Sequence, residues 1–334
     1  MDRMTGAPII SVVIPTCNRA ELLEATLHSL AEQSIAIDQY EVLVIDDGSV
    51  DETPEICRRF HSRLQLRYHR VPKVGISAAK NLGIFASRGA VLLFFDDDDL
   101  ADCDLLLEHI RAHQRHPEEH VAVLGYTTWA PALPISEVMH YITDVGHIMF
   151  GYPALRDGEM LDWTKFWGGR TSCKRAFLTR HGVFNQSLPG AEDDELGFRL
   201  ARHGLKVLFH RSARSYMNRP FTYDQFCGRC EAIGVCRILF SRIHPEPEIP
   251  DHYGLDDAEV KWRRARVLLD AQVRRVHELE DLLGVQQCEE EREHLRSELY
   301  SLYKATFEAF FLKGMNKAME TAEVRESAPA GARG

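Results

Sequence analysis

Five short apolar runs, each followed by a helical stretch or a polar cluster, occupy the first 126 residues and leave few folds open. Ile9–Ile14 reads as a buried strand stopped by Pro15, and Tyr40–Ile45 as a second. Leu64–Arg70 alternates as a third, Val91–Phe95 forms a fourth and Val121–Tyr126 a fifth. Between them, Arg19–Gln33 places Leu22, Leu23, Leu27 and Leu30 on one helical stripe. Helices are also expected over Glu52–Arg63, over Ile76–Ser87 with Gly89 closing it, and from Asp104 to His116. Strands alternating with helices at this spacing predict an α/β fold, a mostly parallel sheet covered by helices on both faces.

In such a sheet, ligands bind beyond the carboxyl ends of the strands, where the strand order reverses. Pro15-Thr16, Asp46-Asp47 and Asp96–Asp99 all follow strand ends, so three polar clusters are expected on one edge. Asp96, Asp97, Asp98 and Asp99 run consecutively after an apolar strand. One or two aspartates there would read as a helix cap. Four adjacent like charges ask for a counter-ion, and a hard divalent cation collects oxygen ligands and in turn binds phosphates. The expectation is a metal–diphosphate site.

With 334 residues, the chain is long enough for one large domain and an appendage, or for two small domains. A formal net charge of -10 argues against a general nucleic-acid binder, which needs a basic face. No apolar stretch is long enough to span a bilayer, and Met1-Asp-Arg-Met-Thr5 lacks a basic-then-apolar leader pattern. A cytoplasmic protein is expected, with peripheral membrane contact left open. The 8 cysteines are scattered, as in a reducing compartment. Cys227-Gly-Arg-Cys230 with Cys236 lacks the further ligands of a structural zinc site and reads as helical thiols.

From Ala130 to Pro189 periodicity is weak and Gly, Pro and Trp are frequent, the pattern of long functional loops. Arg175–His181 and Asp194–His203 read as short helices, each ended by a His-Gly pair suited to a left-handed cap. Beyond Tyr223 the pattern is helical. Asp257–Leu283 carries Leu269, Val273, Val276, Leu279, Leu282 and Leu283 on one stripe, and Glu289–Met315 follows. The acidic faces of these helices oppose docking on anionic lipid. The stripe is expected to pack on the rest of the chain and to contribute to a homodimer. The expected divisions are a catalytic domain over 1–222, with halves 9–126 and 127–222, a helical region over 223–319, and a disordered tail over 320–334.

Particular residues then suggest a family. Ser11-Val-Val-Ile-Pro-Thr-Cys-Asn-Arg19 and Val44-Ile-Asp-Asp-Gly-Ser-Val-Asp-Glu-Thr53 resemble the opening of the family 2 glycosyltransferases of GT-A fold. Gly75-Ile-Ser-Ala-Ala-Lys-Asn-Leu-Gly83, the aspartate cluster and Gly190-Ala-Glu-Asp-Asp-Glu-Leu-Gly-Phe-Arg-Leu200 continue the resemblance in the family's order. The resemblance implies a GT-A, Rossmann-like catalytic domain with a helical C-terminal extension, and a hexosyltransferase-type activity on a nucleoside-diphosphate sugar.

Position by position, it implies that Pro15, Thr16, Asn18 and Arg19 line the nucleotide. Asp47 would accept from the imide of a uracil or thymine base. Lys80 and Asn81 would lie near the nucleotide or diphosphate. Asp98 would hold Mn²⁺ or Mg²⁺, Asp96 the ribose or the same cation, with Asp97 beside them. Trp167, Gly168 and Gly169 would form the loop under the donor sugar and acceptor, where glycines allow close approach. Glu192 would stand next to Asp193, the implied general base. Two departures are visible. Cys17 stands where many relatives have an aromatic residue. Where relatives often complete the metal shell with histidine, this chain reads Ser215-Tyr-Met-Asn-Arg219, leaving Asn218 and His210 as candidates.

The implied reaction is inverting, with Asp193 taking the acceptor hydroxyl's proton. The acceptor could be a glycan, a lipid-linked sugar or a natural product. Rival readings are a retaining GT-A transferase, a nucleotidyltransferase and a non-catalytic sugar-nucleotide-binding protein.

Overall fold

The computed structural model describes residues 6–327. These fall into two compact units, one made of 6–134 and 150–220, the other of 135–149 and 221–327.

The first unit contains β1 (Ile10–Thr16), α1 (Ala20–Leu30), β2 (Tyr40–Asp46), α2 (Thr53–Phe60) and β3 (Leu66–Arg70). It continues with α3 (Ile76–Ala86), β4 (Val91–Phe94), β5 (Asp99–Ala101), α4 (Leu105–Arg115) and β6 (Val121–Trp129). The strands expected from the sequence are all present, β6 running longer than expected. After an excursion that includes the short helix α5 (Glu137–His140), the unit resumes with β7 (Met160–Leu161) and β8 (Thr171–Lys174). Helices α6 (Arg175–His181) and α7 (Glu192–Ala201) and strand β9 (Lys206–Met217) complete it. The sheet order is β3-β2-β1-β4-β8-β6-β9-β5, with β7 pairing β9. Strands β3, β2, β1 and β4 are parallel; β8 runs antiparallel to both β4 and β6.

The β-branched residues of β1 are buried on both faces because helices cover both. Val12 and Ile14 join Leu23 and Leu27 of α1 in one core cluster. On the opposite face, a side chain on Gly83 of α3 would collide with Val13, so the glycine sets the closeness of that helix to the sheet. Each such fully buried aliphatic contributes about 1.5–3 kcal/mol by the transfer scale. The register matters more for function. Thr16 pairs with Asp46, Asp46 with Arg70, and Val13 with Phe94. The strand order reverses between β1 and β4, so the three polar clusters emerge side by side at the crevice this creates.

The second unit is helical: α8 (Tyr223–Ile243), α9 (Glu248–Tyr253), α10 (Ala258–Ala265), α11 (Leu269–Val285) and α12 (Glu289–Ser327), with α5. Helices α8 and α12 cross at two glycines. A side chain on Gly314 would collide with Glu231 O, and one on Gly234 with Phe311 O. Residues 135–149, expected within the 127–222 half, group with the helical unit. Tyr141 lies 5.2 and 5.3 Å from the rings of Tyr300 and Tyr303, and Glu137 is paired with Arg296 at 3.0 Å and Tyr300 at 2.8 Å. Among the stripe residues, Leu269, Val276, Leu279 and Leu283 are buried within this unit, while Leu282 is 44% exposed. The expected helix over 257–283 is broken between α10 and α11. The tail expected from residue 320 is helical as far as Ser327; its remainder lies outside the described residues. Cys227, Cys230 and Cys236 are buried free thiols of α8. No helix among the described residues is long and apolar enough to cross a membrane.

Candidate active site

Three consecutive residues, Gly168, Gly169 and Arg170, connect the acidic helix α7 to the aspartate cluster. The Gly168 N–H donates to Asp193 Oδ2 at 2.7 Å. Gly169 lies so close to the Asp96 carboxylate that any side chain there would collide with it. The Arg170 guanidinium reaches Asp96 at 3.5 Å and Asp99 at 3.3 Å, and donates to Thr127 Oγ1 at 2.9 Å. It also lies 4.7 Å from the centre of the Phe150 ring. A residue without a Cβ is required twice in succession because backbone and carboxylates meet here.

Asp193 lies in the first turn of α7, whose preceding residue Ala191 has φ 53°, a left-handed strain that turns the chain sharply into the helix. Its Oδ1 accepts the Asp194 N–H at 3.0 Å. Burial, then the neighbouring Glu192 charge, raise the Asp193 pKa above the usual aspartate value, against the pull of Lys80. Glu192 is itself buried and bound to Lys80 Nζ at 2.7 Å. A methyl group on Gly168 would sit 2.8 Å from Lys80 Nζ and 2.9 Å from Asp193 Cβ, which shows how tightly the lysine, the loop and Asp193 are packed. Glu195 and Arg199 form a bidentate pair at 2.7 and 2.9 Å that anchors the same helix, and Arg199 also donates to Val183 O.

In the aspartate cluster, three guanidiniums serve four carboxylates, with Arg19 shared by Asp97 and Asp98 and Arg170 by Asp96 and Asp99. Asp97 accepts from Thr16 Oγ1 at 2.7 Å and from Arg19 at 2.8 Å. Asp98 accepts from Arg219 Nε at 2.6 Å and Arg19 at 3.3 Å, and its backbone oxygen takes the Asn218 N–H at 2.7 Å. Asp99, on β5, has one oxygen on Arg170 and Ser215 and the other without a hydrogen-bond partner. Burial pushes Asp97 up to about 6, against the charge of Arg19, and Asp99 up to about 7, against Arg170. Asp96 is the open member, its side chain 32% exposed.

The donors suit a hard cation, since Asp96 and Asp98 offer carboxylate oxygens two residues apart beside the strand-end crevice. Asp98 is the partly engaged one, because one of its oxygens already serves two arginines. Of the two expected completing ligands, His210 Nε2 is engaged with Glu108 at 2.8 Å, whereas Asn218 lies beside the cluster, its backbone N–H donating to Asp98 O.

The remaining expected residues divide between cleft and scaffold. Pro15 and Thr16 end β1 at the crevice. Asn18 adopts a left-handed φ of 54° and accepts the Val50 N–H, clamping the β1 and β2 loops together. Asp47 faces a use not expected: its carboxylate accepts the N–H groups of Val74 and Gly75 at 2.5 and 3.0 Å, fixing the turn into α3. Asn81, expected near the nucleotide, is instead a buried clamp on Phe184, donating to its C=O and accepting its N–H, both at 2.9 Å. Trp167 donates to Thr164 O at 3.0 Å and meets Tyr152 edge-on, leaving its ring partly exposed. Sequence reasoning missed Arg170 and Arg219. The first immediately follows the Trp-Gly-Gly run and the second follows Asn218, so both were adjacent to residues already singled out.

Residues 11–143 match the family described as glycosyl transferase family 2. The validoxylamine A glucosyltransferase of Streptomyces hygroscopicus subsp. jinggangensis (strain 5008) is 29% identical over 240 residues, 62% of this chain and 54% of that protein. The chondroitin synthase of Escherichia coli is 27% identical over 245 residues, 63% of this chain and 35% of that one. The chain thus spans about half the length, or less, of these curated relatives. Among solved structures, the mannosyltransferase PcManGT from Pyrobaculum calidifontis, in complex with GDP-Man and Mn²⁺, superposes with a TM-score of 0.61 at 21% identity, covering 94% of this chain and 88% of that one. The S. aureus TarS 1–349 fragment in complex with UDP gives 0.54 at 16% identity, over 93% and 91%. These likenesses carry the GT-A fold, and residues 11–143, which hold the strand-end motifs, are similar to glycosyl transferase family 2.

Proposed function

We propose that the chain is an inverting glycosyltransferase that moves a sugar from a UDP- or dTDP-linked donor to an acceptor hydroxyl, with Asp193 as general base. The observation that carries this reading is the Gly168–Arg170 loop, which ties a carboxylate of raised pKa to the aspartate cluster at the strand-end crevice. A base needs a pKa closer to the working pH than a free aspartate has, and burial beside Glu192 supplies that shift. Each Asp193 oxygen accepts one backbone N–H, which fixes the carboxylate while leaving lone pairs for the acceptor's proton.

As the acceptor oxygen bonds to the anomeric carbon, its proton passes to Asp193, and the bond from that carbon to the diphosphate breaks with its electron pair leaving on the diphosphate. Attack opposite the leaving group inverts the anomeric centre. Asp96 and Asp98 are the residues that would hold Mn²⁺ or Mg²⁺, and the bound cation would supply Lewis-acid stabilisation of the leaving diphosphate. Arg19, at the mouth of the cluster and 41% exposed, adds positive charge for the same group. The uridine or thymidine preference rests on Asp47, whose carboxylate braces the turn into α3 and has lone pairs left for a base imide, and the UDP complex of a structural neighbour is in keeping with it.

A panel of UDP-, dTDP- and GDP-sugars, reading released nucleoside diphosphate and the product anomer, tests the proposal. Retention of configuration would remove the base role, and release of pyrophosphate would mean nucleotidyl transfer. Binding without any release would leave only a sugar-nucleotide-binding protein.

A further inference from the structure

Asp98 is almost fully buried, with its carboxylate gripped at 2.6 Å by Arg219 and at 3.3 Å by Arg19. Arg219 lies two residues beyond β9, after Asn218, whose backbone N–H also bonds Asp98 O, so this corner of the chain is pinned to the aspartate. The histidine that would extend a metal shell from this region is missing. The one nearby, His210, is 2.8 Å from Glu108 and 4.0 Å from Asp157. A guanidinium bonded to a carboxylate oxygen and a divalent cation ligated by that oxygen repel each other, so the two cannot share Asp98 without cost. The Arg219 side chain is 29% exposed, which leaves room for it to exchange partners. A phosphate group is the natural alternative partner for its planar fork of donors.

We propose that Arg219 is an internal counter-ion that occupies Asp98 until a nucleoside diphosphate arrives. It then transfers its hydrogen bonds to the diphosphate, which removes the shorter of the two guanidinium contacts on Asp98 and eases cation binding there. The inference rests on the reading of Asp98 as a cation ligand given above. It adds that Arg219 opposes cation binding before nucleotide is present and favours diphosphate binding afterwards.

The test measures Mn²⁺ binding to the full chain by electron paramagnetic resonance, and UDP binding by calorimetry, for the wild type, Arg219→Gln and Arg219→Lys. With the counter-ion removed, Arg219→Gln is expected to bind Mn²⁺ in the absence of nucleotide roughly fivefold or more tightly than the wild type. The same variant is expected to bind UDP more weakly. Arg219→Lys keeps the charge and should remain close to the wild type in Mn²⁺ affinity. A purely structural role would loosen the site and weaken both ligands together, so unchanged or weaker Mn²⁺ binding by Arg219→Gln overturns the proposal. Failure of every form to bind Mn²⁺, even with UDP present, would instead overturn the cation reading on which it rests.

Discussion

Asp193 and Gly168 are joined by a 2.7 Å hydrogen bond from the glycine N–H to the carboxylate, so the expected base is positioned by backbone, not by a side chain that could be exchanged. Asp193→Asn keeps the shape of the carboxylate but cannot take a proton. The expected result is a fall in transfer rate of about 10²–10⁴-fold with nucleotide affinity nearly unchanged. Steady-state kinetics beside UDP calorimetry checks it, and a mutant retaining more than about a tenth of the rate assigns the base elsewhere.

The pH profile follows from the same residue. In the proposed role of base Asp193 must be ionised, and burial with the Glu192 charge raises its pKa. The acid limb of kcat/KM is therefore expected at a pH above the ordinary aspartate value of about 3.9. Replacing Glu192 by Gln removes the raising charge and should shift that limb to lower pH, though the loss of the Lys80 pair will also cost stability.

Stability should respond to pH through Asp97 and Asp99. Their folded pKa values, about 6 and about 7, lie above the ordinary aspartate range. Between these limits the folded chain binds more protons than the unfolded one, so stability falls as pH rises. The stabilisation is present below the unfolded value and is lost as pH passes the folded ones. Asp99→Asn should flatten the decline in melting temperature between pH 4 and about 7; an unchanged slope would show that Asp99 titrates normally.

Gly169→Ala places a methyl group into the Asp96 carboxylate. Either the loop or Asp96 must move, and a shift of about 1 Å at a reacting centre can lower the rate by about 10²-fold. The expected signature is a loss of kcat/KM in a protein whose circular dichroism is unchanged. Wild-type kinetics from this variant would mean that the loop is loose enough to absorb the methyl group.

In the helical unit, Gly314→Ala drives a methyl group against the Glu231 carbonyl of α8. Alanine favours the helix itself by roughly 1 kcal/mol, so net destabilisation would be due to the crossing. Overpacking is expected to outweigh that gain, for a cost of about 1–3 kcal/mol in denaturant unfolding. A variant more stable than the wild type would show that α8 and α12 can separate cheaply.

Local pattern alone specifies the alternating strands and helices, the crevice at their carboxyl ends and the residue types gathered there. Hydrophobic periodicity and the aspartates after Val91–Phe95 are local features, and burial on both faces of β1 leaves one way to satisfy them. Tertiary structure decided what no local pattern carries. Arg170 and Arg219 meet Asp99 and Asp98 across 71 and 121 residues of chain, so their roles depend on β8 and β9 reaching the same edge. Asn81 became a clamp because Phe184 presents both backbone groups to it, and Asp47 a turn brace because Val74 and Gly75 point their N–H groups at it. Residues 135–149 joined the helices through Tyr141 and Glu137, whose partners at 296–307 are too distant in sequence for periodicity to reveal. Pairing energies between remote charges and rings arise only once the backbone has brought them within a few ångströms, and that distance is a property of the fold.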